Sequence, residues 1–358
     1  MKKINFYAGP AIMPRPVIEK AAQAILDFNG SGLSLLEISH RSSAFQEVMD
    51  GACALVKELW QLEDDYEVLF LGGGASTQFC MVPYNLLPAN GMAAYLKTGV
   101  WAEKAAKEAA LFGQVHISAS SEDKKYSYIP KNSVVPDAAS YYHITTNNTI
   151  YGTQLHEQPS GNFSCPIIAD MSSDVFSRRI EANRYGLIYA GAQKNMGPAG
   201  ATMIVVRKSI LGKTNRAIPS MLDYRVHIKN GSMFNTPPVF PVYCCYLTLQ
   251  WIKERGIEQI ESQNRQKANL LYAEIDRNSL FEGVVNHEDR SMMNVCFTLK
   301  EEKHQEDFKK MCAEAGCEGL EGHRSVGGFR ASLYNALDLA GVQVLVDVMA
   351  AFEQKYGT

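Results

Sequence analysis

The stretch Leu187-Ile188-Tyr189-Ala190-Gly191-Ala192-Gln193-Lys194-Asn195-Met196-Gly197-Pro198 decides how the rest of this 358-residue chain is read. Its four leading apolar residues read as a buried strand that delivers a lysine among small, Gly and Pro residues. A lysine so placed loses water, and its amine pKa falls toward the range where it acts as a nucleophile. Upstream, Pro166-Ile167-Ile168-Ala169 reads as a second buried strand, and it ends in Asp170. Ligands of an open α/β sheet sit beyond the carboxyl ends of its strands, so Lys194 and Asp170 can face one crevice. A Schiff-base lysine and an acid for a pyridinium nitrogen are what pyridoxal phosphate asks of its protein. The plainer reading of the same residues is a surface lysine and a helix-capping aspartate ahead of Ser172-Ser173.

Outward from these two strands, helical and strand patterns alternate. Helical spacing marks Pro16–Asn29, Phe45–Gln61, Ser76–Leu87 and Trp101–Phe112, and strands are expected at Glu67–Leu71, Ala93–Lys97, Gln114–Ser118, Tyr141–Thr145 and Ala201–Val206. This alternation predicts an α/β fold with a mostly parallel sheet covered by helices. Ser120–Ser133 reads as an exposed polar loop, and Gly231–Pro241 as a long non-helical excursion. Helices follow at Val242–Arg255 and Glu258–Arg277. Beyond them Met293, Val295, Phe297 and Leu299 alternate with polar or smaller residues, as in a half-exposed strand, and Phe329, Ala331 and Leu333 do the same. With helices at Glu306–Ala315 and Ala340–Lys355, this predicts a smaller α+β domain. The division expected is a large domain over 15–258 and a small one over 259–358, with segment 1–14 packing near the latter.

Bulk properties narrow the function classes. A chain of this length suggests two domains. It is 46% hydrophobic and 20% charged, enough to bury a large core. A net charge of −3 argues against a dedicated nucleic-acid or anionic-membrane binder, so an anionic ligand must be held by a local cluster of cations. The eight cysteines form no CxxC and no zinc-ligand pairing with histidine, so no metal is expected. They fit reduced thiols in the cytoplasm. Gly9-Pro10 breaks the segment after Met1-Lys2-Lys3, so no signal peptide is expected, and no apolar run approaches the roughly 20 residues that span a bilayer.

Other segments carry chemistry of their own. Gly72-Gly73-Gly74-Ala75-Ser76-Thr77 lies between a strand and a helix, where backbone N–H groups cradle a phosphate, or where a glycine turn simply meets an N-cap hydroxyl. It lacks the GK[ST] ending of a nucleotide loop. Trp101 follows Lys97-Thr98-Gly99 and could stack on a flat cofactor ring or fill the core. Thr145–Gly152 offers hydrogen bonds to a ring, or builds a turn. His40-Arg41 and His323-Arg324, with Arg330 behind, are cations in glycine- or serine-flanked loops, suited to a dianionic small molecule or to plain solvation.

In order along the chain, Asn5-Phe6-Tyr7-Ala8-Gly9-Pro10-Ala11, Ser39-His40-Arg41-Ser42, the triple glycine, Asn147-Asn148-Thr149-Ile150, Ala169-Asp170, Gln193-Lys194-Asn195, Asn235-Thr236-Pro237-Pro238, Gly322-His323-Arg324 and Ser332-Leu333-Tyr334-Asn335-Ala336 resemble the phosphoserine aminotransferase family. That family belongs to the aspartate-aminotransferase-like, fold type I enzymes that use pyridoxal phosphate. The resemblance covers essentially the whole chain and implies a role for each position. Lys194 would carry the cofactor and shuttle a proton. Asp170 would keep the pyridine nitrogen protonated, Trp101 would stack on the ring and Thr149 would touch its side. Ala75, Ser76 and Gln193 would cradle the cofactor phosphate, with Asn235 and Thr236 reaching it from a second subunit of a homodimer. Arg324 would bind the substrate α-carboxylate, and His40, Arg41, His323 and Arg330 would surround the phosphate or side-chain carboxylate. Ala75 stands where many members have arginine, so one cation of that set is missing.

The reaction implied is transamination between glutamate and 3-phosphohydroxypyruvate, giving 2-oxoglutarate and phosphoserine in serine biosynthesis. A phosphorylated hydroxythreonine on the route to pyridoxal phosphate is a further substrate in bacterial members. The rivals are an alanine–glyoxylate aminotransferase, a cysteine desulfurase, and a cofactor-free phosphate- or nucleotide-binding module.

Overall fold

A strand buried on both faces needs a continuous apolar run, and a parallel sheet needs helices to cover it. The computed structural model describes residues 3–159, 161 and 163–357; Met1 and Lys2 of the basic N-terminus lie outside them. After a short strand β1 (Ile4–Asn5), seven strands form one sheet: β2 (Tyr66–Leu71), β3 (Met92–Lys97), β4 (Gln114–Ser120), β5 (Ala139–Thr145), β6 (Ile167–Asp170), β7 (Tyr185–Gly191) and β8 (Thr202–Arg207). Their order is β2-β8-β7-β6-β5-β3-β4. Only β8 runs against the rest, antiparallel to both β7 and β2. The remaining pairs are parallel, as the alternation of strands and helices demands.

Side chains alternate across this sheet and feed two apolar layers. Ile188, Ala190, Ala169 and Ile144 face helices α1 (Arg15–Leu26), α2 (Ser43–Leu59) and α6 (Val239–Arg255). Leu187, Tyr189, Ile168 and Tyr141 face α3 (Gly74–Leu86), α4 (Val100–Ala109) and α5 (Tyr224–Lys229). Helix α6 begins three residues before the expected Val242. Pro241 falls in its first turn, where the missing N–H has no intrahelical partner to lose.

A separate apolar cluster gathers the C-terminal third. Strands β9 (Phe281–Gly283), β10 (Asn294–Leu299) and β12 (Phe329–Ser332) form an antiparallel sheet in the order β12-β10-β9, packed with helices α7 (Ile257–Arg277), α8 (Gln305–Glu314) and α9 (Leu339–Tyr356). Its centre is aromatic: the Phe308 ring lies 4.9 Å from Phe281 and from Phe329, and 5.2 Å from Phe352. The N-terminal strand β1 pairs in parallel with β11 (Cys317–Glu318), which brings Phe6 into this cluster.

Two sequence expectations need correction. Strand β10 is not half-exposed, because all but Thr298 of its six residues are buried. Its outer face meets the turn at Gly152, so closely that a Cβ there would lie 2.9 Å from the Asn294 carbonyl and 3.1 Å from Cys296 Sγ. Nor is 120–133 a free loop: Ser121, Tyr126 and Ile129 are buried, and the Ile129 N–H donates to Asp289 at 3.0 Å. Polar composition hid this, since the segment is covered by residues outside it: Tyr151 packs on Tyr126, and Asp289, 160 positions on, bonds Ile129. Among the described residues, no helix is long and apolar enough to cross a membrane.

Candidate active site

The parallel strands all end at one edge of the sheet, and their exits converge. Strand β6 stops at Asp170, β7 leads into Gln193-Lys194, β5 runs out into Thr146–Ile150, and β2 turns through three glycines into α3. Gly73 and Gly74 hold φ of +94° and +66°, and a Cβ on Gly73 would sit 2.0 Å from Thr77 Oγ1. Only glycine takes that turn without strain. At Gly74 a Cβ would meet nothing within 4 Å, and Gly74, Ala75 and Ser76 of the first turn of α3 border the open space beyond the strand ends.

The resulting cavity, about 360 Å³, is walled by Ala75, Ser76, Trp101, Thr149, Asp170, Gln193, Lys194, His323 and Arg330, all residues singled out in the sequence. Lys194 Nζ donates to Thr149 Oγ1 at 2.7 Å. Burial drives its amine pKa from 10.5 down to about 8, with the nearby Asp170 carboxylate pulling the other way and Arg330 adding to the fall. The Asp170 carboxyl is pushed up by burial, while the Ser172 N–H at 2.9 Å and the Lys194 charge favour its ionised form. The helix-capping alternative is not met: Asp170 accepts from the Ser172 N–H, but a turn and not a helix follows it, and the residue lines the cavity. Trp101 occupies the first turn of α4. Its Nε1 and the Thr145 Oγ1 are buried without a protein partner. Lys104 lies over the Trp101 ring, 4.8 Å from its centre.

The opposite wall comes from the C-terminal third and the N-terminal segment. Arg330 projects from β12 and donates to the Thr149 carbonyl at 3.0 Å. Ala8 and Gly9 close the side, and a Cβ on Gly9 would stand 3.4 Å from Lys194 Cγ. His323 is depressed by burial and then by Arg330 and Arg324. Thr145 and Asn147, read from the sequence only as part of a segment able to bond a ring, also line the cavity, as do Ser172 and Ser173, which the sequence reading gave no binding role. Their signal was position alone: each sits at or just past the carboxyl end of an expected strand.

Five expected site residues are not brought to this cavity within one chain. His40 and Arg41 lie in the turn before α2, with His40 Nε2 buried and unpartnered. Asn235 and Thr236 are exposed ahead of α6. Arg324 lines a neighbouring depression of about 600 Å³ with Tyr7 and Lys309, which shares Ala8, His323 and Arg330 with the main cavity. A larger cleft, about 710 Å³ around Arg178 and Arg184, has no lysine, cysteine or serine among its described lining residues. None of the eight cysteines lines the main cavity, and burial pushes the thiols of Cys53, Cys244 and Cys296 up to about 12, which does not suit a desulfurase. Among the described residues no cluster of metal ligands occurs.

Comparison with known proteins agrees with this geometry. Residues 4–345 match the aminotransferase class-V family. The phosphoserine aminotransferase of Flavobacterium psychrophilum is 60% identical, covering 99% of this chain and 100% of the relative. That of Bacteroides thetaiotaomicron is 57% identical, with 99% of each chain covered. Among solved structures, phosphoserine aminotransferase from Bacillus circulans subsp. alkalophilus superposes with a TM-score of 0.96 at 42% identity, covering 99% of both chains. The pyridoxal-phosphate-bound phosphoserine aminotransferase from Trichomonas vaginalis gives 0.92 at 34%, covering 98% of this chain and 100% of that one. Fold and site thus define a class-V aminotransferase. Within that class the chain belongs to the phosphoserine aminotransferase family.

The depressed amine makes a pH prediction. In protein free of cofactor, labelling of Lys194 by a small aldehyde and hydride should rise with pH and level off above about 8, because only the neutral amine attacks. Replacing Asp170 with Asn removes the charge that holds the proton on, so the midpoint should move lower still. Peptide mapping by mass spectrometry checks both. A midpoint near 10.5 would contradict the buried environment.

Proposed function

We propose that this protein is a pyridoxal-phosphate-dependent transaminase that interconverts O-phospho-L-serine and 2-oxoglutarate with 3-phosphohydroxypyruvate and L-glutamate. One observation carries the reading: a lysine with a depressed pKa and a buried carboxylate share a cavity whose far wall presents an arginine. The family relationship supports the same reaction.

The residues present fit the cofactor. Two buried polar atoms on the wall, Trp101 Nε1 and Thr145 Oγ1, lack partners, the space over Gly74 is open, and an amine and a carboxylate share the cavity. Pyridoxal phosphate, when bound, supplies a carbonyl that condenses with amines and a ring that takes up the electron pair left at the substrate Cα. Asp170, backed by Ser172, would hold the ring nitrogen; Trp101 would cover a face and Thr149 an edge. Ala75 and Ser76 at the start of α3, with Gln193, would hold the phosphate, where the helix N-terminus favours negative charge. Lys194 Nζ, with a large neutral fraction near pH 8, is the group able to accept the proton from Cα and return it at the neighbouring carbon. Thr149 Oγ1 orients that amine. Tenure of the site by Lys194 makes a simple test: the purified protein should be yellow, phosphoserine should bleach it, and Lys194→Ala should abolish turnover. Full activity in that variant would end the assignment.

The cavity lining favours exchanging the two arginine roles expected from the sequence. The α-carboxylate is bonded to Cα, so it must lie close to the proton-transferring lysine. Arg330 shares the cavity with Lys194, whereas Arg324 stands outside it. Arg330 is therefore read as taking the α-carboxylate, and Arg324 and His323, which line the adjoining depression, as facing the distal group of the substrate. Arg330→Ala should weaken glutamate and phosphoserine alike, by about 2 kcal/mol or more for a lost charged pair. Arg324→Ala should weaken phosphoserine more than glutamate. Steady-state KM values for both amino acids check this; the reverse pattern would restore the original assignment.

A homodimer completes the site. Asn235, Thr236 and Arg41 are exposed on the single chain, and the exposed apolar residues Leu33, Leu36 and Phe234 lie within a few positions of this set. A second copy covering that face would bring its Asn235 and Thr236 to the cofactor phosphate, and its His40 and Arg41 to the substrate. Mixing inactive Lys194→Ala and Thr236→Arg chains after unfolding should restore about a quarter of wild-type activity, since half the dimers are mixed and each holds one intact site. No recovery would place each complete site on one chain. A reducing cytoplasm suits the eight free thiols, which cell fractionation checks.

A further inference from the structure

The two walls of the cavity belong to different apolar clusters. Lys194 and Asp170 sit at strand ends of the seven-stranded sheet and Trp101 on a helix that covers it, whereas Arg330 rides on the smaller sheet. Apolar packing is non-directional and does not set their separation closely; directional hydrogen bonds do. One continuous set crosses the seam. Ser291 donates to Asn147 Oδ1. Asn147 Nδ2 donates to Asn294 Oδ1 at 2.7 Å, and Asn294 Nδ2 donates to Ser332 Oγ at 3.1 Å and to the Tyr334 hydroxyl at 3.3 Å. Tyr334 in turn donates to the Ala8 carbonyl at 2.8 Å. Every bond runs in one sense from donor to acceptor, so the members polarise one another.

All five side chains are buried, and none is used by the chemistry described above. Asn294 is the hub. Its carbonyl takes one bond and its two amide hydrogens make two, so both donors and three of the four bonds its side-chain amide can make are used. Its products are positions of the far wall. Ser332 follows Arg330 by two residues on β12, and Asn294 pairs with Ser332 in the ladder as Cys296 pairs with Arg330. Ala8 precedes Gly9, which presses on Lys194.

We propose that Asn294 and Tyr334 are positioning residues that set the distance from Arg330 and Ala8 to Lys194, and hence the seating of the substrate carboxylate. This rests on the reading that Arg330 binds that carboxylate. Neither residue lines the cavity. A second clamp, in which the Asn335 N–H donates to Asn195 Oδ1 at 2.9 Å, keeps the segment attached when the first is cut.

The test uses the holoenzyme and two variants. Asn294→Asp cannot donate, so the Tyr334 hydroxyl turns to the new carboxylate and leaves Ala8; Tyr334→Phe deletes that bond with little change of shape. Spectral titrations with phosphoserine and with O-phosphoethanolamine, which lacks only the carboxylate, separate positioning from general damage. Both variants should lose about tenfold or more in phosphoserine affinity, the scale of a small misplacement. Phosphoethanolamine affinity, cofactor affinity and the visible spectrum should hold within about twofold. Equal losses for both ligands, or none, would overturn the proposal while leaving the function intact. If the wild type binds the two ligands equally, the role given to Arg330 falls and takes the proposal with it.

Discussion

The withdrawal of one ammonium group from water organises this molecule. Lys194 needs a dry site to stand near neutrality at pH 8, and a dry site for a lysine is costly unless a counter-charge and a hydrogen-bond acceptor are close. Asp170 and Thr149 meet both needs. Each of the three is carried by a different strand or strand exit, so the requirement is satisfied only where β5, β6 and β7 run in parallel and stop together. The sheet order is thus the frame that holds an amine and a carboxylate at matched depth.

A dry cavity must still admit a charged molecule, and a seam between two apolar clusters provides that opening. The sheet supplies the fixed acid and amine, the C-terminal third supplies Arg330 and His323, and Ala8 and Gly9 after β1 close the side. Because the walls belong to separate packing units, their alignment falls to directional bonds, and the buried Ser291–Asn147–Asn294–Tyr334 chain lies where that alignment is needed. Burying so many polar side chains without loss requires that each find its partner, which the central members do.

Reading the chain before its fold went furthest where periodicity and chemistry coincide. The strand before Asp170, the strand before Lys194 and the glycine turn ahead of α3 were legible because a short apolar run that stops at a reactive or flexible residue is compatible with few local structures. Burial of β10 was not legible, since the side it turns outward is covered by the Gly152 turn from far along the chain. The direction of β8 was equally hidden: an apolar run has the same composition whichever way it runs. Arg324 and Arg330 sit six residues apart in a glycine-rich loop and strand, and spacing alone could not say which of them enters the cavity.

Local sequence by itself determined the alternation of helices and strands, the strand-end placement of Lys194 and Asp170, and the family to which the chain belongs, because these depend on residue type and short-range order. Tertiary structure alone decided which cation stands beside the amine, which polar residues are dry, and which expected site residues stay outside the single-chain cavity. Those outcomes depend on distances between segments more than a hundred positions apart, and such distances are set by packing and strand register, quantities that no window of sequence contains.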